Sequence, residues 1–132
     1  MKPKKNRMTS ETTKQDDATT VRDLREIVRQ FVEERDWKQF HSPKNLSMAL
    51  AIEASELMEH FQWISPEQSR DLEPAAKLEV AEELADVLCY ALAIANEMDI
   101  DLASTLQAKM IKNRNKYPVD KYRGRYGAAD TR

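Results

Sequence analysis

Two pairs of acidic residues are the part of this sequence that could do chemistry. "EASE" places Glu53 and Glu56 three residues apart, and "ELAD" places Glu83 and Asp86 at the same spacing. Residues three or four apart share one face of a helix. Asp86 stands out because it lies in "ELADVLCYALAIA", which is almost wholly apolar after Glu83 and is typical of a buried helix. The sequence therefore places a carboxylate where burial is expected.

A buried carboxylate is costly unless a cation or hydrogen-bond donors compensate its charge. Lys44 and Lys77 are the few basic residues within the two helical segments that carry the acids, and each lies near a segment's start. They cannot readily neutralise four converging acids, whereas Mg²⁺ can, because it prefers carboxylate oxygens and leaves room for water and phosphate. The alternative is a non-enzymatic helical interaction module in which the acids form salt bridges or hydrogen bonds.

Other metal sites fit the pattern less well. A di-iron helical bundle uses Glu-x-x-His pairs, but His60 does not follow a Glu by three residues and His41 lies in a predicted loop. Zinc favours His and Cys ligands, and the chain has two histidines and one cysteine. Cys89 is interpreted as a small core residue. The donor set thus favours a hard cation.

Four helices can be drawn around these acids, which gives an all-α, four-helix-bundle-like fold. The first is predicted from about Val21 to Arg35. The second begins at Pro43 with Ser42 as its N-cap. Pro74 opens the third, and Asp101 is the predicted N-cap of the fourth, which ends before Pro118. A short helical turn is also expected at "SPEQSRDLEP".

The chain of 132 residues is long enough for one domain. Residues 1–20 are polar and charged, which predicts a disordered tail; residues 21–118 form the predicted domain, and residues 119–132 are expected to be extended and mobile. A net charge of −2 gives no general attraction to nucleic acid. No segment approaches a membrane span, and the single cysteine suits a reduced cytoplasmic setting.

The helices carry more apolar surface than four helices can cover among themselves. On the second helix, Glu53 falls in the middle of an apolar stripe formed by Leu46, Leu50, Leu57 and Phe61. On the third, an apolar face lies opposite the acids, and it is formed by Leu78, Ala81, Ala85, Leu88 and Leu92. Helices with more than one apolar face need further partners. We therefore expect a homo-oligomer.

The two acid pairs, with Glu83 following Glu56 at a distance of 27 positions, resemble the paired motif of the MazG-like all-α nucleoside triphosphate pyrophosphohydrolases. The segments "ERDWKQFHSPKNL" and "KMIKNRNKYPV" are more similar to the dCTP pyrophosphatase branch, so the resemblance covers about residues 21–119. It implies that Glu53, Glu56, Glu83 and Asp86 bind Mg²⁺ and act in catalysis. The implied reaction cleaves a nucleoside triphosphate to its monophosphate and pyrophosphate. The resemblance also implies that the homo-oligomer is a tetramer made from two dimers, or a dimer.

The resemblance also implies residues that contact the substrate. They are Trp37, Lys38, Gln39, Phe40, His41, Trp63, Tyr90 and Asn113. Aromatic rings can stack on a base, Gln39 or His41 could read its polar edge, and the Tyr90 ring could disfavour a 2′-hydroxyl. Packing in the core is the alternative for the tryptophans and for Tyr90, and the dipole of the last helix alone could explain the basic residues around Asn113.

Two positions depart from patterns within that family. Some members have an additional Glu before the first motif acid, where this chain has Ile52; the dCTP pyrophosphatase branch also lacks it. That branch has a substrate-contacting His on the first helix, where this chain has Val28. We expect hydrolysis of dCTP or a modified dCTP with Mg²⁺, for nucleotide-pool sanitation. The alternatives are broader or dUTP-directed specificity, or the interaction module.

Overall fold

The computed structural model describes residues 13–125, and in this range the chain is helical without a β-strand. The helices are α1 (Val21–Glu34), α2 (Pro43–Glu59), α3 (Pro66–Ser69), α4 (Pro74–Glu97), α5 (Leu102–Lys116) and α6 (Val119–Tyr122). Short 3₁₀ turns lie at Asp16–Ala18 and Lys38–Phe40. The all-α prediction is confirmed, and the described helices include none long and apolar enough to cross a membrane.

Local side-chain caps explain why the helices begin where they do. Ser42 precedes Pro43, and its hydroxyl accepts a hydrogen bond from the Asn45 N–H. The Asp101 carboxylate likewise accepts a hydrogen bond from the Ser104 N–H. Such bonds satisfy backbone donors that have no partner inside the helix. The predicted starts of α2, α4 and α5 are confirmed, as is the turn at α3, which Ser65 caps.

The structure refines the two ends of helix α1. Helix α1 ends at Glu34, because Arg35 leaves the helical conformation and Asp36 follows with a φ of 53°. Thr20 belongs to the folded part, since it forms a capping box with Asp23. The predicted tail residues 1–12 and 126–132 lie outside the described residues.

The prediction of an extended chain after Pro118 is wrong for the first residues of that segment. Val119–Tyr122 form α6, with Pro118 as the N-cap. The rings of Tyr117 and Tyr122 meet edge to face with their centroids 5.2 Å apart. This aromatic contact accompanies the helical turn. The segment is too short to show a helical period in the sequence.

Helix α4 is the centre of the described fold. It packs closely against α2 and, to a lesser extent, against α1. The small core where these helices meet contains Val28, Leu46, Leu92 and Ala93. This packing brings the acidic side of α2 next to the acidic side of α4.

A guanidinium group fixes α1 against the end of α4. Arg25 donates from Nε to Asn96 Oδ1 at 2.9 Å, from Nη1 to the Ile100 carbonyl at 2.7 Å, and from Nη2 to the Ala95 carbonyl at 3.0 Å. Asn96 Nδ2 returns a bond to the Arg25 carbonyl at 3.0 Å. These bonds satisfy carbonyl groups at the C-terminal end of α4, where a positive charge is also favoured.

Much apolar surface is uncovered in the single chain. Helix α5 has no buried residue, and Leu106 on it is 63% exposed. Met110 and Ile111 on the same helix are also exposed, as are Leu78 and Leu88 from the predicted apolar face of α4. Exposed apolar patches of this kind commonly mark interaction sites.

Candidate active site

Three glutamates from two helices converge beside the core. Glu53 and Glu56 lie on α2 and Glu83 lies on α4. Each offers a carboxylate oxygen, and these three oxygens all lie within 4.8 Å of one another. The spacing of three residues places the first two on one face of α2, and the packing of α2 on α4 brings in the third.

Asp86 lies next to this trio without completing it. It is exposed rather than buried, and its carboxylate does not join the set of mutually close oxygens. The expectation of burial is wrong because Asp86 faces an open pocket beside α4 instead of a neighbouring helix. Its negative charge still contributes to raising the pKa values of Glu53 and Glu83.

The electrostatics of the trio are those of acids that lack a counter-charge. Burial raises the pKa of Glu53 above its ordinary value, and the neighbouring Glu56 carboxylate raises it further. Burial also raises the pKa of Glu83, followed by the charges of Glu56 and Asp86, while His60 opposes the shift. Within residues 13–125, no Lys or Arg forms an ion pair with these acids. Salt bridges to Lys or Arg therefore do not account for the cluster.

One oxygen of the trio is both buried and unpaired. Glu53 Oε2 has no hydrogen-bond partner among the described residues. A buried polar atom without a partner is costly, and Glu53 belongs to the cluster of three glutamates. Carboxylate oxygens are the ligands that Mg²⁺ prefers. The residues present thus fit a hard divalent cation.

An apolar pocket of about 410 Å³ opens beside the acids. Helix α1 and the following turn supply one wall, formed by Ile27, Val28, Phe31, Val32, Trp37 and His41. The other side is formed by Glu53, Asp86, Cys89, Tyr90 and Ala93. Concave apolar sites with a few polar groups are typical of small-molecule binding. The two acids lie on the side formed by α2 and α4, and the Phe31 and Trp37 rings lie on the α1 side.

The structure brings some of the predicted substrate residues to this pocket. Trp37, His41 and Tyr90 line it, and the Trp37 ring meets Phe31 edge to face at 5.6 Å. Burial raises the pKa of Tyr90, and the charge of Glu53 adds to the effect. Lys38 lines a small neighbouring cleft of about 70 Å³ that His41 shares.

The other predicted substrate residues do not line the pocket. Gln39 donates from Nε2 to the Asp36 carbonyl, and Phe40 is 59% exposed. Trp63 is 88% exposed beyond the end of α2. Asn113 lies on α5, where its amide is near the Met110 sulfur at 3.7 Å.

Sequence reasoning missed several residues of the pocket. Ile27 and Phe31 were given no role in the site, yet both are exposed and line the pocket. Their spacing of four residues places them on one side of α1, where they form an apolar stripe beside the buried Val28. This second apolar stripe is the feature of the sequence that could have indicated a pocket wall. Cys89 also reaches the pocket, and burial raises the pKa of its thiol, so it stays protonated.

Comparisons with known proteins agree with this arrangement. The model of the MazG-like family matches residues 48–127. The chain is 42% identical over 107 residues to rat dCTP pyrophosphatase 1, which covers 80% of this chain and 63% of that protein. It is 41% identical over 102 residues to the human protein of the same name, covering 76% and 60%. The chain thus spans about three fifths of the length of these curated relatives.

A solved structure is also similar. The crystal structure of a pyrophosphatase from Archaeoglobus fulgidus DSM 4304 has a TM-score of 0.69 and 40% sequence identity, covering 74% of this chain and 91% of that one. The family model includes both acid pairs, and it matches well over half of the sequence. This chain therefore belongs to the MazG-like family.

Proposed function

We propose that this protein is a Mg²⁺-dependent nucleoside triphosphate pyrophosphohydrolase that cleaves dCTP or a modified dCTP to the monophosphate and pyrophosphate. The observation that carries the proposal is the glutamate trio, with Glu53 Oε2 buried and unpaired, at the edge of an aromatic pocket. The names of the curated relatives and of the similar structure support the reaction class, and those of the relatives support the base.

In the proposed reaction, the oxygen of a water molecule forms a bond to the α-phosphorus, and the bond from that phosphorus to the bridging oxygen breaks. Pyrophosphate leaves with the bridging oxygen. Glu53, Glu56, Glu83 and Asp86 would hold the metal, which supplies neutralisation of phosphate charge and a lowered pKa of bound water. Ile52, the residue before Glu53, has no group that accepts a proton, so the proton of the attacking water would pass to one of these four acids.

The pocket supplies the proposed nucleoside site. Trp37 and Phe31 offer ring faces or edges to a base. Aromatic side chains can stack on any base, because every base has a π-face. His41 offers a polar group for the edge of the base. Tyr90 lines the same pocket as Glu53, so a sugar joined to phosphates held near the acids would contact its ring. The ring of Tyr90 is proposed to disfavour a 2′-hydroxyl.

We also propose that the working form is a homo-oligomer, as a tetramer or a dimer. Helix α5 carries three exposed apolar side chains and no buried residue, so a second copy is the natural cover. Trp63 and Asn113 do not line the pocket of their own chain. An assembly would bury Trp63 and could bring one or both residues to a neighbouring pocket. A cytoplasmic location remains a prediction from the single cysteine.

The decisive experiment follows the products of each canonical dNTP with Mg²⁺ in ¹⁸O-labelled water. Monophosphate that carries the label, released together with unlabelled pyrophosphate, is the expected result with dCTP. Asp86→Asn should abolish it while the variant still folds, and Glu82→Gln, an exposed neighbour, should not. Orthophosphate as the first product would contradict the cleavage site. Equal turnover of dUTP or of several nucleotides would favour broader specificity, and no turnover of any would favour an interaction module.

A further inference from the structure

His60 lies between two carboxylates of α4 at the end of α2. It is the C-cap residue of α2 and is partly buried. Its Nε2 atom is 3.9 Å from Glu83 Oε1, and its Nδ1 atom is 4.0 Å from Glu79 Oε2. The two ring nitrogens therefore face different acids, and one of these acids belongs to the glutamate trio.

This order of groups matches a common arrangement around protein-bound metals. A histidine that ligates a metal through one nitrogen usually donates its other N–H to a carboxylate, which fixes the tautomer and orients the ring. Here Glu79 stands on the Nδ1 side, and Glu83, which belongs to the glutamate trio, stands on the Nε2 side. Glu79 has no place in the trio, so this contact is its one evident role among the described residues.

We propose that His60 Nε2 is a nitrogen ligand of the metal site, that Glu79 positions it, and that the site consequently takes Mn²⁺ in addition to Mg²⁺. The inference rests on the proposed function, because Glu83 must hold a metal. Imidazole nitrogen suits transition-metal ions better than Mg²⁺, which prefers oxygen. A mixed donor set of one imidazole and several carboxylates would thus shift the metal preference toward Mn²⁺.

The distances allow this ligation with a small adjustment. Neighbouring ligands of an octahedral ion with bonds of about 2.1 Å lie about 3 Å apart, so Nε2 and Glu83 Oε1 must approach each other by about 1 Å. Both contacts of His60 exceed an ordinary hydrogen bond. The ring lies at the last turn of α2, where a rotation of the side chain breaks no helical hydrogen bond. A simple ion pair with Glu79 and Glu83 is the competing explanation.

The test is electron spin echo spectroscopy of Mn²⁺ bound to the tag-free protein in a nitrogen-free buffer. A directly bound imidazole gives a ¹⁴N modulation, and the chain has only two histidines, which makes the assignment direct. The modulation is expected in the wild type and in His41→Gln. It should be lost in His60→Gln, while that variant still binds Mn²⁺ through its carboxylates and unfolds cooperatively.

A titration of Mn²⁺ and Mg²⁺ binding by calorimetry gives a second readout. His60→Gln should weaken Mn²⁺ more than Mg²⁺. Glu79→Gln should weaken Mn²⁺ by about tenfold, as expected for the loss of a carboxylate that orients a ligand, and the matched control Glu82→Gln should leave both affinities unchanged.

The outcomes separate this inference from the proposed function. Mn²⁺ that binds the wild type without a ¹⁴N modulation, or with one that survives in His60→Gln, would overturn the role of His60 and leave the carboxylate site standing. No binding of either ion to the wild type would overturn the metal site itself and the inference with it.

Discussion

Glu53 on α2 and Glu83 on α4 place carboxylate oxygens within 4.8 Å of each other, together with an oxygen of Glu56. They come from opposite sides of the most extensive helix–helix contact in the described fold. Negative groups held this close repel each other unless a cation or a proton lies between them. The cluster is therefore a site of stored electrostatic repulsion in the metal-free protein.

Replacing Glu53 by Gln should stabilise the metal-free protein and remove its response to metal. The neutral amide relieves repulsion by the other acids and can donate to the Glu56 carboxylate. We expect a higher melting temperature without metal, little further rise with Mg²⁺, and loss of dCTP hydrolysis. Thermal unfolding with and without Mg²⁺ measures this. A melting temperature that falls in the variant and still rises with Mg²⁺ would contradict the account; Glu59→Gln on the exposed side of α2 is the control.

Stabilisation by Mg²⁺ should weaken as the pH falls. Burial and neighbouring acids raise the pKa values of Glu53 and Glu83 above the ordinary value of 4.5. In the metal-free protein these groups favour the folded state below that ordinary value, and this contribution is lost as the pH rises through the raised pKa. Metal binding requires the deprotonated forms of these glutamates. The rise in melting temperature caused by Mg²⁺ should therefore become larger as the pH rises.

Thermal unfolding with and without Mg²⁺, from about pH 8 to about pH 5, measures this trend. Glu53→Gln is the matched variant, since it removes the acid with the unpaired buried oxygen. A stabilisation by Mg²⁺ that stays constant across this range would show that the two glutamates do not hold the ion.

Arg25→Lys should loosen α1 from α4. Lysine cannot reproduce the three donors that Arg25 directs to Asn96, Ala95 and Ile100. We expect a loss of about 2 kcal/mol in the free energy of unfolding, measured by denaturant titration. Arg22→Lys at an exposed position on the same helix should change it by less than about 0.5 kcal/mol. Equal effects of the two substitutions would show that the network contributes nothing specific.

Tyr90→Ala should relax discrimination between deoxyribose and ribose. The ring lines the pocket next to Glu53, and its removal makes room for a 2′-hydroxyl. The ratio of kcat/KM for CTP to that for dCTP should rise by about tenfold or more, which corresponds to about 1.4 kcal/mol of lost discrimination. Tyr90→Phe, which keeps the ring, should retain the wild-type ratio. An unchanged ratio in Tyr90→Ala would assign the ring to packing.

The double substitution Leu106→Glu with Met110→Glu should reduce the size of the assembly. Both side chains are exposed on α5 and four residues apart, so they share one face. Placing two carboxylates on this face opposes burial against another copy. Sedimentation analysis should show a dimer or tetramer for the wild type and a smaller species for the variant. A wild-type monomer would contradict the oligomer, and an unchanged assembly in the variant would place its interface elsewhere.

The sequence by itself determined where the main helices begin. Ser42 before Pro43, and Asp101 before the last long helix, act through bonds to residues within one turn. Such signals are local, so they can be interpreted without knowledge of the rest of the chain. The acid pairs are local in the same sense, because a spacing of three residues fixes a shared helix face.

Only the tertiary structure decided which acids meet. The approach of α2 to α4 brings Glu83 to Glu53 and Glu56, leaves Asp86 at the pocket, and places His60 beside the trio. These relations depend on how two helices pack, which spacing along one helix does not encode. The same holds for α5, whose apolar side chains are periodic in the sequence but lie uncovered in the single chain.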